Sequence, residues 1–163
     1  MNMKRLVALL LALVMLLSMA ACGNDATIGI IGGADGPTAI FVTDGEDGLD
    51  EDGWYYSAED VSLYLYLYGC LPQNFITKNE ARELGWDGGS VEEYAPGYAI
   101  GGDKFGNREG LLPKADGRQY YECDIDTDGA ESRGAKRIVY SNDGLIYYTD
   151  NHYESFVLLF GEE

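Results

Sequence analysis

Hydrophobic and polar positions alternate along most of the chain after residue 97, which is the pattern of half-buried β-strands. The strands predicted from this alternation are residues 98–102, 119–124, 137–141, 145–149 and 155–160. The turn-forming sequence Asn142-Asp143-Gly144 separates the third strand from the fourth. These two strands are therefore expected to form a hairpin.

Alternation also occurs earlier, where leucines and tyrosines alternate between residues 63 and 68. Taken alone, this pattern predicts another strand. We nevertheless favour a helix over residues 58–68, with Ser57 or Ser62 as its N-cap and Gly69 as its stop residue. This preference depends mainly on the family resemblance described below.

Two capping-box sequences follow this segment. Thr77 and Glu80 have the spacing of a capping box, and Gly85 is placed to end the short helix that it would start. Residues 90–93 repeat that spacing, and Pro96 is expected to terminate the turn after them. Helices followed by a run of strands indicate an α+β domain with an antiparallel sheet.

The N-terminal residues 1–22 have the features of an export signal. Lys4 and Arg5 precede an apolar run over residues 6–19, and two alanines then precede Cys22. This ending resembles the lipobox of bacterial lipoproteins, in which the signal is cut before the cysteine and the thiol is acylated. A plain signal peptide or a short membrane anchor is the alternative. Export predicts an extracellular protein, or one held on the outer face of the cell membrane by a lipid on Cys22.

Residues 23–53 are predicted to form a linker between the signal and the folded domain, which we assign to residues 54–163. The second part of the linker, residues 43–53, is acidic and glycine-rich and is expected to be a solvated tether. Residues 27–42 are apolar and resemble a segment of the beta subunit of sodium-translocating decarboxylases. Nothing else in the chain matches that membrane protein, so a sticky linker or an isolated hairpin is the simpler interpretation.

Composition limits the ligands that the domain is expected to bind. The chain has 28 acidic and 11 basic residues, a formal net charge of -17, which repels nucleic acid at long range. Any interpretation that involves RNA therefore requires a local group of cations. The chain has one histidine and three cysteines without the spacing of a zinc site, so a structural metal is not expected.

Several stretches of the folded part keep the order and spacing of a known family: residues 71–78, 84–86, 95–97, 100–103, 107–110, 112–113, 137–138, 140–141, 145–147 and 152–153. They resemble the barnase-like family of microbial guanyl-preferring ribonucleases, and the resemblance covers about residues 56–160. The resemblance implies short N-terminal helices packed on a five-stranded antiparallel sheet. It also implies cleavage of single-stranded RNA after guanosine through a 2′,3′-cyclic phosphate, without a metal or cofactor.

The resemblance assigns a role to each residue of the expected active site. The general base is Glu122 and the general acid is His152. The scissile phosphate is bound by Lys78, Arg133 and Arg137. Apart from the resemblance, arginines four residues apart near a carboxylate favour ion pairs, so Arg133 and Arg137 are also expected to pair with Asp124. Guanine is bound by Phe105, Asn107, Arg108 and Glu109, with Tyr153 as a stacking aromatic. Arg118 is expected to pair with Asp143 in a structural role. This chemistry needs a base for the 2′-hydroxyl, an acid for the leaving 5′-oxygen and cations around the phosphate.

Three further expectations concern cysteines and partners. Export raises the prospect of a disulfide between Cys70 and Cys123, which a Cα separation above ~7 Å would prevent. The expected partners are single-stranded RNA, a small acidic barstar-like inhibitor and the membrane, with the protein itself a monomer. The alternative function is a non-catalytic surface lipoprotein that keeps the fold as a binding module. The presence of both Glu122 and His152 with their cations argues against this alternative.

Overall fold

The computed structural model describes residues 48–162, so the signal peptide, the lipobox cysteine and most of the linker lie outside the described residues. The elements are α1 (Ala58–Tyr68), β1 (Phe75–Ile76), α2 (Lys78–Glu83), β2 (Ala99–Phe105), β3 (Tyr120–Asp124), β4 (Arg137–Ser141), β5 (Ile146–Thr149) and β6 (Val157–Phe160). Within residues 48–162, no helix has the length and apolar character needed to cross a membrane.

The strands form one sheet in the order β1-β2-β3-β4-β5-β6, with short helices packed against it, and the predicted α+β class is confirmed. The predicted count of five strands is one too few. The additional strand, β1, pairs in parallel with the start of β2, whereas every other pair is antiparallel. A two-residue strand is too short to show an alternating pattern, which is why the sequence does not predict it.

Helix α1 forms where the alternating pattern alone predicts a strand. The Ser57 side chain accepts a hydrogen bond from the backbone N–H of Asp60, and Gly69 ends the helix with a φ of 70°. Val61 and Leu65 pack against the sheet in a core with Cys123, Ile125, Ile138 and Ile146. One of the alternating tyrosines holds the preceding segment against the helix. The Tyr64 hydroxyl donates to the Glu51 carbonyl at 2.7 Å.

Helix α2 begins at the predicted capping box. The Thr77 side chain accepts from the Glu80 N–H, and the Glu80 carboxylate accepts from the Thr77 N–H at 2.7 Å. The second predicted capping box is wrong, because residues 90–93 form turns rather than a helix. The carboxylate that makes a contact here belongs to the neighbouring Glu92. It accepts a hydrogen bond from the Gly97 N–H and closes the loop before β2.

A β-bulge in β2 sets which side chains face the active-site side of the sheet. The pairing of β2 with β3 shifts between Gly101 and Asp103 and brings Asp103 opposite Glu122. Any Cβ on Gly101 would lie 2.7 Å from the Cβ of Cys123, so only glycine fits at this point. The bulge therefore requires a residue without a side chain, and it places two carboxylates on adjacent strands.

The predicted disulfide between Cys70 and Cys123 is not formed, because the Cys123 thiol is free. Cys123 is 1% exposed and belongs to the core beneath α1. Its thiol points toward the helices, as expected from its position between Glu122 and Asp124, but it is enclosed by apolar side chains. Burial raises the pKa of the Cys123 thiol well above its ordinary value, which favours an inert core cysteine.

Candidate active site

The face of the sheet opposite α1 carries the predicted base Glu122 together with Asp124 and Arg137, while Lys78, Arg133 and His152 come from α2 and from loops. Glu122 and Asp124 are two positions apart on β3, so their side chains share this face. In the register of β3 with β4, Val139 lies opposite Glu122 and Arg137 lies opposite Asp124. A buried cluster on the same face supports these residues from one end of the sheet, formed by Leu112, Tyr120, Val139, Leu145 and Tyr147.

The Glu122 carboxylate is held by two hydrogen-bond donors. Its Oε1 lies 2.5 Å from Lys78 Nζ, and its Oε2 accepts from the Tyr153 hydroxyl at 2.6 Å. Lys78 is the first residue of α2, and its backbone N–H donates to Asp103 Oδ2 at 2.9 Å. This bond fixes the start of the helix against β2, so the Lys78 side chain reaches across to β3. The Glu122 side chain remains 12% exposed.

Asp124 organises the two predicted phosphate-binding arginines. It is 2% exposed, and its two oxygens accept from Arg133 Nε at 2.6 Å and Arg133 Nη2 at 2.8 Å. The pKa of the Arg133 guanidinium is raised, and these hydrogen bonds to Asp124 are the largest cause. Arg137 Nε lies 2.9 Å from Asp124 Oδ1, and Arg137 Nη1 donates to the carbonyls of Arg133 and Lys136. The ion pairs expected from the sequence are confirmed.

His152 lies in the loop between β5 and β6 and is exposed. Its backbone N–H donates to the Ala135 carbonyl at 3.2 Å, which joins this loop to the one that carries Arg133. His152 and Tyr153 have φ values of 57° and 73°, a left-handed conformation that is rare for residues other than glycine. No residue type at these two positions indicates this backbone strain in advance. In this conformation the rings of His152 and Tyr153 lie 4.9 Å apart.

Tyr153 contacts both the predicted base and the predicted guanine site. Burial, followed by the hydrogen bond to Glu122, raises the pKa of Tyr153, so the phenol stays protonated and donates at neutral pH. Its ring stacks on Phe105 with centroids 5.2 Å apart and an interplanar angle of 30°. The sequence resemblance assigned Tyr153 to base stacking alone. The hydrogen bond to Glu122 is an additional contact that no local sequence signal reveals.

The predicted guanine loop follows β2 and is closed by Asn107. The Asn107 amide donates to the Leu112 carbonyl at 2.8 Å and accepts from the Leu112 N–H at 3.1 Å. Asn107 is buried and has a φ of 42°, so its amide shapes the loop and is occupied within it. Arg108 and Glu109 are exposed on the loop. Phe105 joins the loop to the Tyr153 ring and hence to the site around Glu122.

A family model described as ribonuclease matches residues 58–159. The chain belongs to this ribonuclease family. Similar curated proteins include the ribonuclease of Heyndrickxia coagulans, 50% identical over 100 residues, which covers 60% of this chain and 91% of the relative. The ribonuclease of Bacillus intermedius has the same identity, and the match covers 61% of its length. Guanyl-specific ribonuclease St of Saccharopolyspora erythraea is 43% identical over 61 residues, 37% of this chain and 60% of the relative.

The predicted structural ion pair of this ribonuclease is also present. Arg118 Nε lies 2.8 Å from Asp143 Oδ2, and the same arginine donates to the Pro113 carbonyl. The pair joins the segment before β3 to the turn between β4 and β5. Two residues that the sequence did not single out lie beside the site. Asp103 anchors α2, and Trp86 lies under Arg133 with 5.8 Å between its ring centroid and the guanidinium carbon.

Proposed function

We propose that this ribonuclease cleaves single-stranded RNA after guanosine, with Glu122 as general base and His152 as general acid. The observation that carries the proposal is the position of Tyr153, whose hydroxyl donates to Glu122 and whose ring contacts that of His152. One tyrosine therefore connects the two groups that must act on opposite sides of a phosphate. A carboxylate and an imidazole suit these tasks near neutral pH.

In the first step, Glu122 takes the proton of the ribose 2′-hydroxyl and the 2′-oxygen attacks the phosphorus. The bond from phosphorus to the leaving 5′-oxygen breaks, and His152 donates a proton to that oxygen. The products are a 2′,3′-cyclic phosphate and a free 5′-hydroxyl. In the second step, His152 takes a proton from water as the water adds to phosphorus, and Glu122 returns a proton to the 2′-oxygen. The resulting product is a 3′-phosphate.

The cations around Asp124 and Glu122 supply the electrostatic stabilisation. Lys78, Arg133 and Arg137 carry three positive charges against the carboxylates of Glu122 and Asp124. With Asp103, which lies opposite Glu122, the formal charges of this group sum to zero within a chain of net charge -17. Charge that develops on the phosphoryl oxygens is stabilised by donors within hydrogen-bond distance. Distant acidic groups are screened over a Debye length of about 8 Å at physiological ionic strength.

A preference for guanosine is supported by the loop that follows β2. The stacked rings of Phe105 and Tyr153 offer an aromatic surface for a planar base next to Glu122. Arg108 and Glu109 are exposed on the same loop, where a carboxylate could accept from the N–H groups of a guanine. Three of the similar proteins are named guanyl-specific ribonucleases, St, Sa3 and Sa. Together these observations favour guanine over the other bases.

The remaining parts of the proposal come from the sequence. All steps are assigned to side chains, so we propose that catalysis is metal-independent and proceeds unchanged in a chelator. We also propose export through the signal in residues 1–22, lipid attachment at Cys22 and a location outside the cell or on the outer face of the membrane. A small acidic barstar-like protein is the proposed inhibitor, and the protein is expected to act as a monomer.

The test is cleavage of guanosine dinucleotides by the full chain. Glu122→Ala and His152→Ala should each lower kcat/KM by about 10²-fold or more. The double variant should lose much less than the product of these factors, because the two residues act as a unit. Glu83→Ala, which removes an exposed carboxylate on α2, is the matched control and should keep full activity.

The products and the base preference complete this test. The first product should carry a 2′,3′-cyclic phosphate, and kcat/KM should fall on both sides of a pH optimum, as expected when a general base and a general acid act together. Full activity in His152→Ala would refute the mechanism, since the chain has one histidine. Equal rates after uridine, adenosine and guanosine would refute the guanine preference. A chain that binds RNA and does not cleave it would favour the non-catalytic binding module.

A further inference from the structure

We propose that Trp86 is a positioning residue of this ribonuclease, whose indole ring holds the Arg133 guanidinium in place for the scissile phosphate. The inference rests on the proposed function, because it takes Arg133 to be a phosphate-binding residue. Trp86 is buried, and it acts through Arg133 rather than by contact with the substrate. The juxtaposition that supports it is one arginine held on two sides, by a carboxylate and by an aromatic ring.

The two contacts restrain different motions of the guanidinium group. Asp124 accepts two hydrogen bonds from Arg133, at 2.6 and 2.8 Å, which fix the edge of the planar group. The Arg133 guanidinium carbon lies 5.8 Å from the centroid of the Trp86 ring, within the range of a cation–π contact. Hydrogen bonds along one edge leave rotation about that edge free. The indole ring removes that freedom, so the remaining N–H groups keep one direction.

Arg133 needs such support because of its place in the chain. It lies in the loop between β3 and β4, whereas Arg137 belongs to β4. The Arg133 side chain is 23% exposed and that of Arg137 only 3%, so the surrounding core already fixes Arg137. Glu131 is exposed on the same loop two residues before Arg133. A mobile guanidinium would have this carboxylate as an alternative partner, and the site would lose a cation.

Trp86 is itself rigid before any substrate binds. It is 5% exposed and packs in a core cluster with Ala81, Val91, Ala95 and Ile100. Its indole N–H donates to the Gly89 carbonyl at 3.1 Å, which fixes the orientation of the ring. Arg82 also lies over this ring, at 5.9 Å, but it bonds to Asn79 and has no contact with Asp124 among the described residues. The chain therefore offers an internal control for the loss of a cation from the same ring.

The test is a double-mutant cycle between Trp86 and Arg133 in the full chain. Trp86→Leu should lower kcat/KM for a guanosine dinucleotide about tenfold, and Trp86→Phe, which keeps an aromatic face, about two- to threefold. In an Arg133→Gln background, either change should alter kcat/KM by less than about twofold. The affinity for guanosine 3′-monophosphate, measured by titration, should follow the same pattern. This binding measurement gives a result even where cleavage is too slow to measure.

Two controls separate positioning from stability. Val91→Ala opens a cavity in the same cluster and should lower Tm, yet it should leave kcat/KM unchanged below the unfolding transition. Arg82→Gln should change kcat/KM by less than about twofold, because it leaves Arg133 on the ring. If Trp86→Leu is too unstable, the Trp86→Phe cycle decides.

The inference would be overturned if the Trp86 variants lowered kcat/KM by the same factor with and without Arg133. It would also be overturned if Val91→Ala lowered kcat/KM as much as Trp86→Leu does. Absence of RNA cleavage by the unmodified chain would instead refute the proposed function. In that case the coupling measured in guanosine 3′-monophosphate binding still decides whether Trp86 acts through Arg133.

Discussion

Replacing Asp124 by asparagine keeps the shape of the side chain and removes its charge. Three nitrogen atoms of two arginines lie within 2.9 Å of this carboxylate, which is 2% exposed. The amide is neutral and retains one acceptor oxygen, so both guanidinium groups lose their charged partner. Arg137 is also 2% exposed and cannot recover that loss by contact with water. Breaking a buried ion pair on one side costs about 3–5 kcal/mol, a large part of the ~5–15 kcal/mol that stabilises a typical domain.

Urea unfolding at neutral pH measures this loss. Asp124→Asn should shift the midpoint with an unchanged slope and lower Tm by roughly 10–20 °C. The matched control is Asp126→Asn, which breaks the pair with Lys136, where both side chains are nearly half exposed. An exposed pair contributes at most about 1 kcal/mol, so the control should stay close to the unmodified protein. A loss below about 1 kcal/mol in Asp124→Asn, or equal losses in both variants, would refute the reasoning.

Three other predictions follow from the structure. Hydrogen bonds from Ser141, then Arg118, hold the pKa of Asp143 below its usual range. The ionised carboxylate therefore stabilises the fold at neutral pH, and this contribution is lost as pH falls through the folded-state pKa. Asp143→Asn should lower Tm at neutral pH and match the unmodified protein near about pH 2. Cys123 should resist alkylation until urea unfolds the protein, as read by peptide mass spectrometry. Cleavage should not fall steeply and monotonically with added salt, because the net charge opposes association at low ionic strength.

Local sequence signals predicted the fold where a single residue decides the conformation. Ser57, Thr77 and Gly69 begin or end helices through bonds to their own neighbours, so their effect is visible in a short window. The strand β1 and the turns at residues 90–93 depend on partners elsewhere in the chain. The helical state of α1 is a similar case, since the alternating pattern favours a strand and tertiary packing on the sheet decides otherwise.

In the candidate site, too, some features are indicated by the sequence and others depend on contacts between distant parts of the chain. The resemblance to a ribonuclease family indicated Glu122, His152 and the cations. The structure pairs Lys78 with Glu122 and the two arginines with Asp124, which lies two residues further along the same strand. The resemblance did not indicate that Asp103 anchors α2, because that contact depends on a bulge at Gly101. The expected cysteine pairing was wrong because facing the helix layer also means being enclosed by the core.

On the proposed mechanism, the contrast between the overall charge and the formal charge of the cluster around Glu122 and Asp124 explains how an acidic protein accommodates RNA. Net charge acts through a field that salt screens, and it mainly affects how fast an anionic ligand approaches. Binding and catalysis depend on groups within a few ångströms of the phosphate, and there Asp124 keeps two guanidinium groups fixed at the cost of one negative charge. The carboxylate that reduces the local charge also fixes the cations. In this ribonuclease, the geometry of the cations matters more to the chemistry than their number.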